Sequence, residues 1–154
     1  MLFRSIANLC DAFYIGGTKV GAMCGEAVVI PDPDLLPFFF THIKQHGALL
    51  AKGWVLGLQF DTLFTDDLYF KLGKHANDMA QILKKGLKEK GYRFYIDSPT
   101  NQQFVIVSNE DMERLSHYTT FGFWCKYDDE HTVIRFATSW ATKESDIEKL
   151  LDIL

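Results

Sequence analysis

Ala12-Phe13-Tyr14-Ile15 is a short run of apolar, aromatic and β-branched positions closed by Gly16-Gly17. Glu26-Ala27-Val28-Val29-Ile30 is another, closed by Pro31-Asp32-Pro33. Such runs bounded by turn residues predict strands. Their apolar character is nearly continuous, so both are expected to be covered on both faces, as in the centre of an α/β sheet. Downstream the hydrophobic period lengthens. Asp34 is placed to cap a helix that begins near Leu35, carries Pro37 in its first turn and runs towards Gly47. A second helix is predicted over residues 54–64. The longest periodic element covers 67–90, where Leu68, Leu72, Ala76, Met79, Ile82, Leu83 and Leu87 keep a 3.6-residue spacing and Gly91 supplies the stop. Lys84, Lys85, Lys88 and Lys90 fall in its last turns, which suits the negative end of the helix dipole and predicts a solvated face.

Beyond that helix the pattern reads strand (92–96), strand (104–107), helix (111–118), strand (121–127), strand (132–139) and helix (143–154). The last helix has Thr142 as its expected N-cap, and Ile147, Leu150, Leu151 and Leu154 form one stripe. This order predicts sheet-core strands with helices, then one long helix, then a compact antiparallel α+β unit. A parallel central sheet needs more than two strands, so residues 1–66 are expected to be the end of a larger domain and 67–154 a long helix with a small C-terminal domain.

Composition narrows the function classes. Sixteen Lys and Arg against twenty Asp and Glu leave a net charge of −4, with no basic stripe interleaved with aromatics, so nucleic acid is not an expected partner. The opening residues are too short and too interrupted for a signal peptide or a membrane span, and Cys10, Cys24 and Cys125 have no metal or redox spacing; a cytoplasmic chain is expected. Phenylalanine occurs 13 times and runs together at Phe38-Phe39-Phe40, which calls for an oligomer interface or another domain as cover.

The first candidate chemistry is the turn Gly16-Gly17-Thr18-Lys19-Val20-Gly21, at the carboxyl end of the first strand, where α/β proteins bind ligands. Glycines let a backbone approach a ligand, and Thr18 offers a hydroxyl to a phosphate. Ala22, Met23 and Cys24 bring no charge, so Lys19 is expected to sit beside a dry floor whose desolvation favours the neutral amine that attacks an aldehyde. The turn lacks P-loop spacing, and a solvated loop lysine is the alternative. The second is Arg135, which strand alternation sets on one face with Val133 and Ala137. Its planar fork matches a carboxylate, from a ligand or from an Asp or Glu of the protein.

Four stretches, DAFYIGGTKVGAMCGEAVVI, QHGALLAKGWVLGLQFDTLF, SPTNQQFVI and IRFATSWAT, resemble the threonine aldolase and β-eliminating lyase family of fold-type-I pyridoxal-phosphate enzymes. The resemblance covers nearly the whole chain. It implies an α/β fold made of the end of the large-domain sheet, a long linking helix and the small C-terminal domain. It also implies pyridoxal 5'-phosphate as cofactor, held covalently at Lys19 with Thr18 and Gly17 beside it, and Arg135 as the holder of the substrate's α-carboxylate. The implied reaction is cleavage of a β-hydroxy amino acid such as threonine to glycine and an aldehyde, in a homo-oligomer or with a separate N-terminal half. A loosely corresponding basic stretch makes His46 and Lys52 weak candidates for a phosphate contact, each with a solvated helix face as its alternative. His42 and His46 have zinc-pair spacing without a third ligand, so no metal is expected. Asn101, Gln102 and Gln103 either orient substrate or close a turn, and His75 is expected in packing or solvent.

Two parts of a pyridoxal-phosphate site are not recognisable in the sequence: a carboxylate for the pyridinium nitrogen and a stacked aromatic or histidine. In the family these lie upstream of the lysine, including a DGAR-type segment, and Asp11 is a poor substitute. A non-catalytic remnant of the fold, or an aminotransferase or β-eliminating lyase on the same scaffold, therefore stands beside the aldolase reading.

Overall fold

The computed structural model of the chain describes residues 2–154, with side chains from Phe3 onward. It divides into two compact units, one ending at Tyr69 and the other running Phe70–Leu154.

In the first unit a short helix α1 (Leu2–Ala7) precedes two strands, β1 (Phe13–Gly16) and β2 (Glu26–Val29), and two helices, α2 (Phe39–Gln45) and α3 (Trp54–Phe64). β1 and β2 pair antiparallel, Phe13 opposite Val29 and Gly16 opposite Glu26, as a two-stranded sheet. This corrects the expectation of strands buried on both faces. Only Ile15 of β1 is buried, while Tyr14 and Val28 are exposed, because a two-stranded ribbon covers one face at most. The core of the unit is Ile15, Val20, Ala22, Phe60 and Leu63, beside an edge-to-face group of Phe3, Phe64 and Tyr69 with ring centroids 5.4–5.7 Å apart.

The helix expected from Leu35 begins only at Phe39. Pro37 disfavours helical backbone at the residue before it, and Asp34 is spent in a turn in which Asp32 Oδ1 accepts its N–H at 2.9 Å. Phe38, at φ 60°, then sets the entry to α2.

The second unit holds most of α4 (Leu68–Glu89), then β3 (Arg93–Ile96), β4 (Gln102–Ser108), α5 (Asn109–Ser116), β5 (Gly122–Lys126), β6 (His131–Ala137) and α6 (Glu144–Ile153). Its sheet runs β3-β4-β6-β5 and is antiparallel throughout. Side chains alternate across it. Val105 and Val107 of β4, with Ile134 and Phe136 of β6, pack against Leu83 and Leu87 of α4, Leu115 of α5 and Ile147 of α6. The intervening residues Phe104, Ile106 and Val133, with Cys125 of β5, form a second cluster on the opposite face. This parity matters for function, because it puts Arg135 on the face away from the helices.

The long helix ends as the sequence predicts. Gly91 takes φ 85°, and Tyr92 N–H closes onto Leu87 O at 3.0 Å. Its lysines do not all face water, however. Lys84 is buried, with its Nζ 2.6 Å from Asp97 Oδ1 and donating to Ser98 O at 3.0 Å, so it ties the helix to the segment after β3. The hydrogen bond from Lys84 to Asp97 holds the Asp97 carboxyl below its ordinary pKa. Thr142 does not cap α6: its Oγ1 accepts Ser139 N–H at 2.9 Å, and Lys143 is the N-cap, its N–H bound to Asp146 Oδ2 at 3.2 Å. His75 packs, donating from Nε2 to Thr142 O at 2.8 Å.

Candidate functional site

Lys19 lies in a single turn of 3-10 helix, Thr18–Val20, directly after β1. The turn is closed by Val20 and Ala22, whose N–H groups both donate to Gly17 O, at 3.1 and 3.0 Å. Val20 and Ala22 point inward and are buried, which leaves Thr18 and Lys19 exposed on the outer side. Three further contacts fix the segment. Tyr69 Oη donates to Gly16 O at 2.9 Å, Met23 N–H donates to Gln59 Oε1 at 2.7 Å, and Gly25, at φ 93°, lies where a side chain would meet Leu56. Lys19 is thus carried on a backbone pinned at both ends. Its side chain is exposed to water, as expected of the outer side of such a turn.

This corrects the expected dry floor. Ala22 is buried, but Met23, 90% exposed, and Cys24 face outward and supply no enclosure. The role of Gly17 also changes. A Cβ there would lie 2.8 Å from Ala22 Cβ and 3.2 Å from both Gly25 O and a Phe60 ring carbon, so glycine is required by packing inside the turn.

Arg135 stands in the second unit, in the middle of β6, opposite Phe104 of β4 on one side and Gly122 of β5 on the other. It is half-buried beside Phe104 and Val133, themselves buried, and Phe104 carries the Trp124 ring edge-to-face at 4.8 Å. Nη1 donates to Gln102 Oε1 at 3.2 Å. Among the described residues no carboxylate lies within ion-pair distance of the guanidinium, so the reading in which a protein Asp or Glu satisfies it does not hold here. A permanent charge in such surroundings, with a neutral partner among the described residues, has the chemistry to receive an anion.

The three polar residues before β4 separate into different roles. Asn101 closes a turn, its Nδ2 donating to Thr138 O at 2.7 Å, and Gln102 steadies Arg135. Gln103 is fully buried on the helix side, donating to Thr100 O at 2.9 Å, and its Oε1 has no partner. His46 and Lys52 are exposed in the first unit, His46 as the C-cap of α2. Lys19 and Arg135 belong to different units, and each site is defined within its own. Among the described residues no group of three or more His, Cys, Asp or Glu could hold a metal ion, and no helix is long and apolar enough to cross a membrane.

Sequence reasoning missed the supports of both sites. Gln59 and Tyr69 anchor the Lys19 turn, and Gly122 faces Arg135. Only Gln59 gives a signal, as the lone amide in the otherwise apolar stretch WVLGLQF.

No protein-family model matches the chain. It is 29% identical over 136 residues to a low specificity L-threonine aldolase of a Pseudomonas species, and 28% identical over 149 residues to that of Pseudomonas aeruginosa. These spans take in 81 and 93% of this chain but only 39 and 40% of the relatives. Among solved structures, the threonine aldolase of Leishmania major superposes with a TM-score of 0.89 at 43% identity, over 96% of this chain and 43% of that one. An 8-amino-7-oxononanoate synthase of Francisella tularensis, 10% identical, shares the fold with a TM-score of 0.59 over 84% of this chain and 40% of its own length.

Proposed function

This chain corresponds to the C-terminal part of the threonine aldolase family, and from that premise we propose that it serves a pyridoxal-phosphate-dependent lyase that cleaves threonine to glycine and acetaldehyde. The observation that carries the reading is the match to the Leishmania major threonine aldolase over 96% of the chain. The residues present fit the group in two respects. Lys19 offers a solvent-accessible amine on a pinned turn, and Arg135 offers a guanidinium with no carboxylate at ion-pair distance among the described residues.

When bound, the cofactor supplies an electron sink for the pair released as a Cα–Cβ bond breaks. The protein's part is to hold and orient. Lys19 would hold the cofactor through its Nζ, with Thr18 and the Gly17 turn beside it in the first unit, and Arg135 in the second would hold the α-carboxylate of the amino acid. Orientation by a bidentate guanidinium leaves the side chain of the substrate free to present its β-hydroxyl. The chain spans 39–43% of those threonine aldolases, and a partner chain, a second copy or a separate N-terminal half, would supply further contacts to the cofactor. Apolar exposure in the first unit supports such an assembly. Phe38 is 80% exposed, Trp54 66% and Phe40 65%, more than a lone surface readily tolerates.

Product analysis tests the reading. The chain, alone and mixed with the purified upstream portion of the Leishmania major enzyme, is given pyridoxal phosphate and L-threonine, L-serine or an aromatic amino acid. Glycine and acetaldehyde from threonine, absent with Lys19→Ala, are expected. Pyruvate and ammonia from serine indicate β-elimination, and amino transfer to an added keto acid indicates an aminotransferase. No product from either mixture contradicts the lyase reading and favours a non-catalytic module.

A further inference from the structure

We propose that Gly122 is a positioning residue: it keeps open the Nε/Nη2 edge of the Arg135 guanidinium, on which two N–H groups lie parallel, so that a carboxylate can dock there. The inference rests on the reading of Arg135 as a carboxylate holder and adds how the strand beside it makes that possible.

The geometry is specific. Gly122 lies directly opposite Arg135 in the β5–β6 pairing. A Cβ on residue 122 would stand 3.2 Å from Nε, 3.2 Å from Nη2 and 3.5 Å from Cζ of Arg135. A point equidistant from those two nitrogens, and nearer to them than to the central carbon, lies beside the edge they share and to one side of the guanidinium plane. Their two N–H bonds form the fork that receives both oxygens of a carboxylate. A side chain at 122 would crowd the approach to that fork from one side. The remaining nitrogen, Nη1, is engaged on the far side by Gln102 Oε1 at 3.2 Å, so the plane of the guanidinium is set by a neutral acceptor while its paired edge stays available. Phe104 and Val133, buried on the same face, keep water from part of the charge, which strengthens what docks on the exposed part. Elsewhere in this unit a clash explains a glycine by packing, as at Gly86 against Leu151 of α6. At Gly122 the near atoms are those of a charged, hydrogen-bonding group with donors to spare.

The test reads the guanidinium itself. In 15N NMR of the full chain, the Nε–H resonance of Arg135 is assigned by its loss in Arg135→Lys, and acetate is titrated with acetamide as the neutral isostere. Acetate is expected to move that resonance saturably in the wild type, and acetamide to leave it in place. In Gly122→Val the apparent affinity for acetate should fall by roughly tenfold or more, as two charge-assisted hydrogen bonds are blocked. Gly122→Ala should give a smaller loss, because the tip of Arg135 can shift by a few tenths of an ångström. The backbone amides of Val133 and Ile134 serve as the folding control and should keep their positions in both variants. Should Gly122→Val misfold, the alanine variant alone decides the matter. A wild-type response that both variants reproduce at full affinity overturns the positioning role and leaves the reading of Arg135 intact. A wild type whose Nε–H ignores acetate overturns both.

Discussion

Leu87→Ala is expected to cost the chain roughly 2–5 kcal/mol of stability, the range for emptying a buried leucine site that relaxes only in part. Leu87 is fully buried where α4 meets the helix-facing side of the sheet, among Val105, Val107, Leu115, Ile134, Phe136 and Ile147. Elements packed around this site lose contacts at once. Both the transfer of the side chain from water and the dispersion contacts of its neighbours are forfeited. Leu58→Ala, at an exposed position of α3, is the matched control, with a change of about 0.5 kcal/mol or less. Urea unfolding followed by circular dichroism measures both. Equal losses for the two variants would contradict the assignment of the core.

The second large effect concerns chemistry. Arg135→Leu keeps an apolar stem on β6 and removes the fork, so the α-carboxylate of an amino-acid substrate loses its bidentate partner. The cost expected for one partner of a desolvated charge pair is about 2–5 kcal/mol, or ~30-fold to several-thousand-fold in kcat/KM for L-threonine. Arg135→Lys should recover only part of it, because a point charge does not reproduce two parallel donors. Steady-state kinetics in the mixture that cleaves threonine checks this. A kcat/KM within about twofold of wild type for Arg135→Leu would remove the residue from the substrate site, since a lost charged hydrogen bond should cost more than that.

Most elements of the second unit were legible because each carries its own local signature. Asp67 to Lys90 shows seven apolar positions on one helical face and a glycine where the helix must stop, and α4 follows it closely. The strands after it alternate cleanly between a helix-facing and an open side. The first strands were legible as strands but not in their burial, because an apolar run specifies the element and not what covers it. Asp34 and Pro37 carry the right residue types for a helix start, yet Pro37 also restrains the residue before it, and that restraint won.

The two candidate sites were each legible at a charged residue and opaque in their supports. Lys19 and Arg135 stand in motifs that can be read along the chain. Gln59 under the Lys19 turn and Gly122 against Arg135 act through tertiary contact and strand register, and no spacing rule links residue 122 to 135 before the pairing is known. Lys84 has the same cause: nothing in a run of helix-terminal lysines tells which one turns inward to meet Asp97.

The central claim is that this chain carries the cofactor lysine of an aldolase-type lyase, and its most direct test is chemical trapping. The purified chain is incubated with pyridoxal phosphate and reduced with borohydride, and the modified peptide is located by mass, with Lys19→Ala as control. Modification concentrated on Lys19 and lost in the control is the expected result. Labelling scattered over Lys44, Lys52 and the other exposed lysines at comparable levels, unchanged in Lys19→Ala, would contradict it.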